Sequence, residues 1–151
     1  MIGLAFVIGI VAGSRTMIAP AAIAWSAATR GLSLEGSWLA FLGWRFTPWI
    51  FSLLAVGELV ADQLPTTPSR KVPVAFGGRL LSGGMAGAAI GIDAGAPLLG
   101  SALGLVGAAI GTYGGAAARA RLAQAFGRDR PAALIEDVVA IGTATLVFVA
   151  A

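Results

Sequence analysis

The sequence contains no cysteine and no histidine, and it has few charged residues. Without cysteine there is no disulfide framework and no thiolate nucleophile, and without histidine there is no imidazole ligand for zinc or haem. The same absences exclude every Ser-His and Cys-His catalytic arrangement. Asp, Glu, Lys and Arg make up 11% of the chain, against about 25% in an ordinary soluble domain. The chain therefore lacks the charge needed to cover a water-facing surface.

Apolar residues take the place of the missing charge. Of the 151 residues 58% are hydrophobic and the mean hydropathy is +0.89, whereas soluble domains contain about 45–50% apolar residues. A helix needs about 20 apolar residues to cross a hydrocarbon layer about 30 Å thick, so the length allows about four to six spans. These figures predict one integral-membrane domain over residues 1–151, with an all-α polytopic fold. They argue against nucleic-acid binding, a cofactor and enzymatic activity.

Proline, glycine and charge mark where the apolar runs stop. The first run, from Ile2 to about Thr29, would be about 42 Å long as a straight helix, which exceeds the thickness of the layer. Gly13-Ser14-Arg15 lies in its middle and Pro20 follows, so we expect one kinked span or two short segments that meet near Gly13. The next stretch, from Gly31 to Arg45, carries Trp and Arg and is expected to lie along the membrane surface.

Four further apolar segments follow, which with the first run predict about five spans. They extend from Pro48 to about Leu64, from Gly78 to about Asp93, from Leu98 to Ala118 and from Pro131 to Ala151. Thr47 and Pro48 are typical of a helix start. The stretch from Pro65 to Pro73 and a basic stretch from Arg119 to Arg130 are expected to be loops on one side, which the positive-inside rule makes cytoplasmic. If the first run is re-entrant, the amino terminus changes sides.

Glycines recur every four residues in the third and fourth segments: Gly83, Gly87, Gly91 and Gly95, then Gly107, Gly111 and Gly115. Small residues at this spacing let two helices approach closely, because lipid supplies little hydrophobic drive for helix association. We expect tight packing within the fold or across a homo-oligomer, with a pore lined by backbone as the alternative. The possible halves 1–64 and 76–151 each end in a span with an acidic pair, which suggests an inverted repeat.

Ionisable residues within the apolar segments are the candidates for function, because such groups are costly at membrane depth and are usually paired or functional. Arg15 lies near the centre of the first run and requires a carboxylate partner. Glu58 and Asp62, four residues apart, project from one helix face, and either can pair with Arg15. Glu136 and Asp137 form a second acidic pair near the start of the last span.

Three interpretations of these five residues remain open. In the first, Arg15 and a carboxylate form a structural tie, meaning a buried ion pair that only stabilises the fold, while Glu136 and Asp137 cap a helix start. In the second, the five residues form a binding site for a small solute or ion, since broken helices and opposed charges at the midplane are typical of small transporters. In the third, Glu58, Asp62, Glu136 and Asp137 hold a hard cation through oxygen atoms alone.

Basic residues on the cytoplasmic side give a further candidate site, for anionic lipid headgroups: Arg70, Lys71, Arg79, Arg119 and Arg121. The sequence thus favours a transporter or channel-like protein whose partners are membrane lipids and a small solute or ion. The alternative is a non-transporting membrane module that binds lipid or assists assembly. In that alternative the buried charges are a structural tie.

Five segments carry a resemblance that extends over nearly the whole chain: GSRTMIAP (13–20), WRFTP (44–48), GELVADQLPTTPSR (57–70), GGRLLSGGMAGA (77–88) and IEDVVAIG (135–142). Together they resemble a family of small bacterial integral-membrane proteins catalogued as domain of unknown function 4126. The resemblance implies a multi-pass fold in the bacterial cytoplasmic (inner) membrane, and it implies no substrate. The matching residues are Arg15, Pro20, Glu58, Asp62, Pro65, Glu136 and Asp137. The family pattern has Lys after the Asp, where this chain has Gln63.

Overall fold

The computed structural model describes residues 1–64, 69 and 71–151, which form six α-helices and one short 3-10 helix. No strand occurs in these residues, so the predicted all-α class is confirmed. The helices are α1 (Gly3–Ser14), α2 (Ile18–Thr29), α3 (Thr47–Ala61), α4 (Pro73–Asp93), α5 (Pro97–Phe126) and α6 (Asp129–Ala150), and the 3-10 helix is Ala40–Gly43. Helix α3 begins at Thr47-Pro48, as the sequence predicts.

Two of the helices, α5 with 30 residues and α6 with 22, are long and apolar enough to cross a membrane. Helices α1, α2 and α3 are also apolar but have only 12, 12 and 15 residues. As helices they are about 18 to 22 Å long, which is less than the roughly 30 Å of a hydrocarbon layer. Length and composition therefore support two membrane-crossing helices, fewer than the predicted five.

The first apolar run is two helices rather than one kinked helix. Helix α1 ends at Ser14, Arg15 adopts an extended conformation (φ −137°, ψ 107°), and α2 begins at Ile18. Pro20 lies in the first turn of α2, where the N–H that proline lacks would have no partner within the helix. Proline is therefore compatible with the start of α2. The interruption between the two helices lies just before α2.

Helix α1 runs parallel to α5. Gly9 of α1 lies against Gly104, and Gly13, further along α1, lies against Ala108 and Thr112. Helix α6 then runs back along α5, because only residues 127–128 connect the two helices. Helix α1 therefore points opposite to α6.

Helix α2 runs in the direction of α6, and therefore opposite to α1. Just before α2, Arg15 contacts Asp137 of α6. At the other end of α2, the Ser26 hydroxyl donates to the carbonyl of Phe148, near the end of α6. The two short helices thus form a helical hairpin, and its turn at residues 15–17 lies beside the middle of α5.

One end of the bundle holds the end of α3, the start of α4 and the α5–α6 connection. Helix α3 runs antiparallel to α2, since Trp25 contacts Ser52 whereas Met17 contacts Glu58. The opposite end holds both termini and residues 31–45. There Trp38 and Trp44 are largely exposed, and the position of this stretch along a membrane surface stays a prediction.

Glycine lets α1, α4 and α5 pack with their backbones in contact. A Cβ atom added at Gly87 or Gly104 would lie closer than 3.0 Å to backbone atoms of the facing helix, and Gly107 and Gly111 face the backbone of α1 in the same way. These glycines therefore pack against helices of the same chain, and the predicted homo-oligomer stays a prediction. Gly95 does not take part in this helix packing, because it lies in the turn after α4, with a φ of 72°.

The predicted basic loop from Arg119 to Arg130 is wrong, because α5 continues to Phe126. Residues 116–125 are mostly Ala, Arg, Leu and Gln, which favour helix. The first residue that ends the helix is Gly127, whose φ of 65° is the left-handed conformation common after helices. Helix α4 likewise begins at Pro73, before the predicted Gly78. Arg70 and residues 65–68 of the other predicted loop lie outside the described residues.

The halves 1–64 and 76–151 contain helices of different lengths: 12, 12 and 15 residues in the first, against 21, 30 and 22 in α4 to α6. A shared topology does not require equal lengths. The inverted repeat and the single-domain assignment stay predictions.

We predict that Gly87→Ala lowers the free energy of unfolding by about 1–3 kcal/mol, because the new methyl group would overlap the backbone of α5. The matched control is Gly142→Ala in α6, where nothing lies within 4 Å of the added atom. That variant should equal or slightly exceed the wild type, since Ala favours helix over Gly. Thermal unfolding in detergent, followed by circular dichroism, compares them. Equal midpoints would contradict the close α4–α5 contact.

Candidate functional site

Arg15, in the turn of the α1–α2 hairpin, is completely buried. Its Nε donates to Asp137 Oδ1 at 2.7 Å and its Nη1 donates to Asp62 Oδ2 at 2.5 Å. Its Nη2 lies 3.7 Å from Glu136 Oε2. One guanidinium thus faces carboxylates from α6 and from the residue that follows α3. The partners of Arg15 are Asp62 and Asp137, and Glu58 has a different role.

Arg119 of α5 is a second cation beside Asp62. Its Nη1 donates to Asp62 Oδ2 at 2.6 Å, and its Nε and Nη2 donate to the two carboxylate oxygens of Asp129 at 2.9 and 2.6 Å. Burial alone would raise the pKa of Asp62, which lies just beyond α3, but the guanidinium groups of Arg15 and Arg119 outweigh it and hold this pKa below its ordinary value.

Glu58 binds the first backbone groups of the α2 side of the hairpin. The N–H of Thr16 donates to Oε1 at 2.7 Å, and the N–H of Met17 donates to Oε2 at 2.8 Å. A helix leaves its first N–H groups without internal partners and carries a partial positive charge at this end, so a carboxylate is favoured there. Glu58 therefore caps the start of α2.

Arg79 binds the opposite type of helix end. Its Nη1 donates to the carbonyl oxygens of Gly13 and Ser14 at 3.0 and 2.9 Å, at the end of α1. The hydroxyl of Thr112 also donates to Gly13. A cation at this end complements the partial negative charge of the unpaired carbonyls. Arg79 Nη2 lies 4.0 Å from Glu58 Oε1, so the two capping residues also contact each other.

We refer to these residues together as the charge cluster: Arg15, Glu58, Asp62, Arg79, Arg119, Asp129, Glu136 and Asp137. It combines three guanidinium groups with five carboxylates, an excess of two negative charges when all are ionised. An excess of this sign attracts a small cation more than an anion. Within the cluster, α1, α2, α4, α5 and α6 and the end of α3 meet at the hairpin turn.

Glu136 and Asp137 do not cap a helix start, which corrects one expectation of the structural interpretation. Helix α6 begins at Asp129, so the pair lies about two turns inside it and contacts Arg15. Asp129 occupies the first turn instead. Pro131 is compatible with this earlier start, because proline is tolerated in the first turn of a helix.

The four acidic residues proposed to hold a hard cation are divided between two tasks. Glu58 binds backbone N–H groups, whereas Asp62 and Asp137 bind Arg15. Among the residues that the structure describes, no group of three or more acidic side chains is arranged to hold a metal ion. The geometry thus gives the oxygen-ligand interpretation no support.

Of the five basic residues proposed for lipid headgroups, Arg79 and Arg119 belong to the charge cluster and lie mostly inside the protein. Sequence reasoning missed their role because Arg119 was predicted to lie in a loop and Arg79 at the exposed start of the third segment. Lys71 and Arg121 are exposed, and Lys71 Nζ lies 5.9 Å from the centre of the Tyr113 ring. Arg70 lies outside the described residues.

Comparison with known proteins finds nothing similar, since no protein-family model, no curated protein and no solved structure matches the chain. The family resemblance of the sequence motifs therefore stays a prediction. Function has to be argued from the charge cluster and its surroundings.

We predict that Arg15→Gln lowers the free energy of unfolding by about 3–5 kcal/mol, because it removes the buried cation from Asp137 and leaves Asp62 with Arg119 alone. Arg15→Lys should recover part of the loss, since a single ammonium cannot bond both carboxylates as the planar guanidinium does. The control Arg121→Gln, at an exposed position, should stay within about 0.5 kcal/mol of the wild type. Denaturant unfolding in detergent measures all four proteins. An Arg15→Gln variant as stable as the control would contradict the assigned pairing.

Proposed function

We propose that the protein is a small multi-pass protein of the bacterial cytoplasmic membrane that moves a small ion or solute, with the α1–α2 hairpin at its binding site. One observation carries the proposal. Two half-length helices meet inside the bundle, and ionisable side chains, Glu58 and Arg79, hold their free ends. Transporters use discontinuous helices in this way to bring helix ends to an ion or substrate near mid-membrane.

The use of charged capping groups favours a transport role for the hairpin over a purely structural one. An uninterrupted helix satisfies its backbone groups without any buried charge, so the break and its charged caps are costly unless they are used. Glu58 occupies the N–H groups of Thr16 and Met17, and a change at this carboxylate would reach the helix break directly. Arg15 neutralises carboxylates rather than binding an anion. The excess of negative charge favours a cation, the proton included, as the ion moved.

The same proposal assigns the topology. Besides α5 and α6, the 21-residue α4 crosses the membrane, and the 15-residue α3 crosses where the bilayer thins around it. The α1–α2 hairpin is re-entrant from the side that holds both termini. The α3–α4 and α5–α6 connections, with Lys71 and Arg128, face the cytoplasm according to the positive-inside rule. This topology has four crossings and places both termini outside.

Ion flux into proteoliposomes tests the proposal. The full chain is reconstituted into liposomes, and a potassium gradient with valinomycin imposes a membrane potential. A pH-sensitive dye inside the liposomes reports proton flux. A sodium-sensitive dye reports sodium flux in a second experiment. We expect flux above that of protein-free liposomes for at least one of the two cations. Glu58→Gln should reduce it about ten-fold or more, equivalent to about 1.4 kcal/mol. Its thermal midpoint should also fall, because the amide keeps only one of the two oxygen acceptors that the N–H groups of Thr16 and Met17 use. Flux is therefore compared for equal amounts of folded, reconstituted protein.

The matched control is Glu35→Gln, an exposed carboxylate at the other end of the bundle, which should leave the flux unchanged. Wild-type flux equal to that of empty liposomes for both cations would contradict the proposal. Equal flux in the wild type and Glu58→Gln would also contradict it.

A non-transporting membrane module is the second candidate, and the direct bonding of the fully buried Arg15 to Asp62 and Asp137 favours it. In such a protein the charge cluster is a structural tie. Neither the wild type nor Glu58→Gln would then conduct ions, and the substitution would change only the thermal midpoint.

A further inference from the structure

A groove of about 450 Å³ lies between α2, α3 and α6, outside the charge cluster. Its volume falls within the roughly 300–1,000 Å³ of small-molecule sites. Alanines leave the space open: Ala21, Ala22, Ala55 and Ala144. The polar side chains that line it are already bonded, because Trp25 Nε1 donates to Ser52 Oγ at 3.0 Å and Thr145 Oγ1 donates to Ile141 at 2.8 Å. The groove therefore offers a ligand mainly apolar contacts.

The groove opens onto an apolar surface rather than onto a polar one. Val56 on its edge is 56% exposed, and the nearby α3 side chains Trp49 and Leu53 are 64% and 73% exposed. In the proposed topology this surface faces lipid. A hydrocarbon chain can enter from the bilayer without crossing water, whereas a water-soluble ligand cannot reach the groove by this route.

A cation lies at one end of the groove. Arg30 follows the last residue of α2, and its guanidinium lies 5.2 Å from the centre of the Phe148 ring, which lines the groove. Its Nη2 donates to the carbonyl of Val149 at 3.2 Å. No carboxylate in the described part of the chain pairs with Arg30. Exposed Trp38 and Trp44 lie at this end of the bundle, as is typical of the headgroup level of a membrane.

We infer that the groove binds one acyl chain of an anionic phospholipid, with its phosphate at Arg30. An acyl chain fits this volume better than a partner helix does, because a helix about 10 Å across fills roughly 400 Å³ for each turn. A groove of 450 Å³ would hold about one turn. The inference rests on the membrane placement of the proposed function and is independent of ion movement.

The bound chain would end beside the charge cluster. The groove reaches Ile18 and Leu59, which directly follow Met17 and Glu58 in the sequence. Lipid between α2 and α3 would therefore support the two helices that the bonds from Met17 and Thr16 to Glu58 connect. In this account the phospholipid acts as a structural ligand of the hairpin.

Native mass spectrometry tests the inference. The full chain is reconstituted in nanodiscs of equal parts phosphatidylglycerol and phosphatidylethanolamine. The protein is then released from the nanodiscs in the spectrometer, and the lipid that stays bound to it is identified by mass. We expect one retained phospholipid per chain, with about a five-fold preference for phosphatidylglycerol from the single cation. Thr145→Phe and Ala22→Phe place a ring in the groove and should each abolish retention. Arg30→Gln should keep the lipid and lose the preference.

Two controls match these changes elsewhere on the protein. Ala102→Phe adds the same ring on an exposed face of α5, and Lys71→Gln removes a cation at the opposite end. Both should behave as the wild type, and thermal midpoints identify any groove variant that fails to fold. Retention unchanged in a folded groove variant would overturn the inference. A preference for phosphatidylglycerol that survives Arg30→Gln would also overturn it. So would a wild-type dimer that a groove variant converts to a monomer, because a second copy of the chain would then occupy the groove.

The outcomes also separate this inference from the proposed function. Retained phosphatidylglycerol with no ion flux would support the groove and contradict transport. Ion flux with no retained lipid would overturn the groove alone. A chain that does not insert into the nanodiscs would overturn both.

Discussion

The hydrogen bonds from the N–H groups of Thr16 and Met17 to Glu58 are the interaction on which the rest of the structure depends. They stabilise the interruption between α1 and α2, because backbone N–H groups inside an apolar bundle need hydrogen-bond partners and Glu58 supplies them. Arg79 does the same for the carbonyl groups of Gly13 and Ser14. Since Glu58 lies on α3 and Arg79 on α4, the two caps also fix these helices against the hairpin.

The charges and the glycines support this arrangement together. Arg79 reaches the end of α1 because the glycines of α1, α4 and α5 let the three backbones pack in contact. Arg15 points the other way, towards Asp62 and Asp137, and so ties the hairpin to α6 and to the end of α3. Breaking a buried pair is strongly destabilising because it leaves an uncompensated charge. The cluster thus supports the fold, and in the proposed function it is also the place where an ion binds.

Local sequence patterns predicted the breaks better than they predicted the partners. Gly13-Ser14-Arg15 and Pro20 indicated a break in the first run, and Thr47-Pro48 the start of α3. Arg119 was assigned to a loop because charge after an apolar run resembles a membrane edge, although its neighbours favour helix. The roles of Glu58 and Arg79 depend on contacts with backbone groups about 40 and 65 residues away along the chain. Spacing within one segment cannot reveal such contacts.

The direction of the α1–α2 hairpin is the central claim, and the lack of cysteine makes it directly measurable. Single variants Gly3→Cys, Ser33→Cys and Ser69→Cys in oriented membrane vesicles are exposed to a thiol reagent that cannot cross the membrane. A re-entrant hairpin predicts that Gly3→Cys and Ser33→Cys are labelled from one side and Ser69→Cys from the other. Labelling of Gly3→Cys and Ser33→Cys from opposite sides would show a single crossing there and contradict the account.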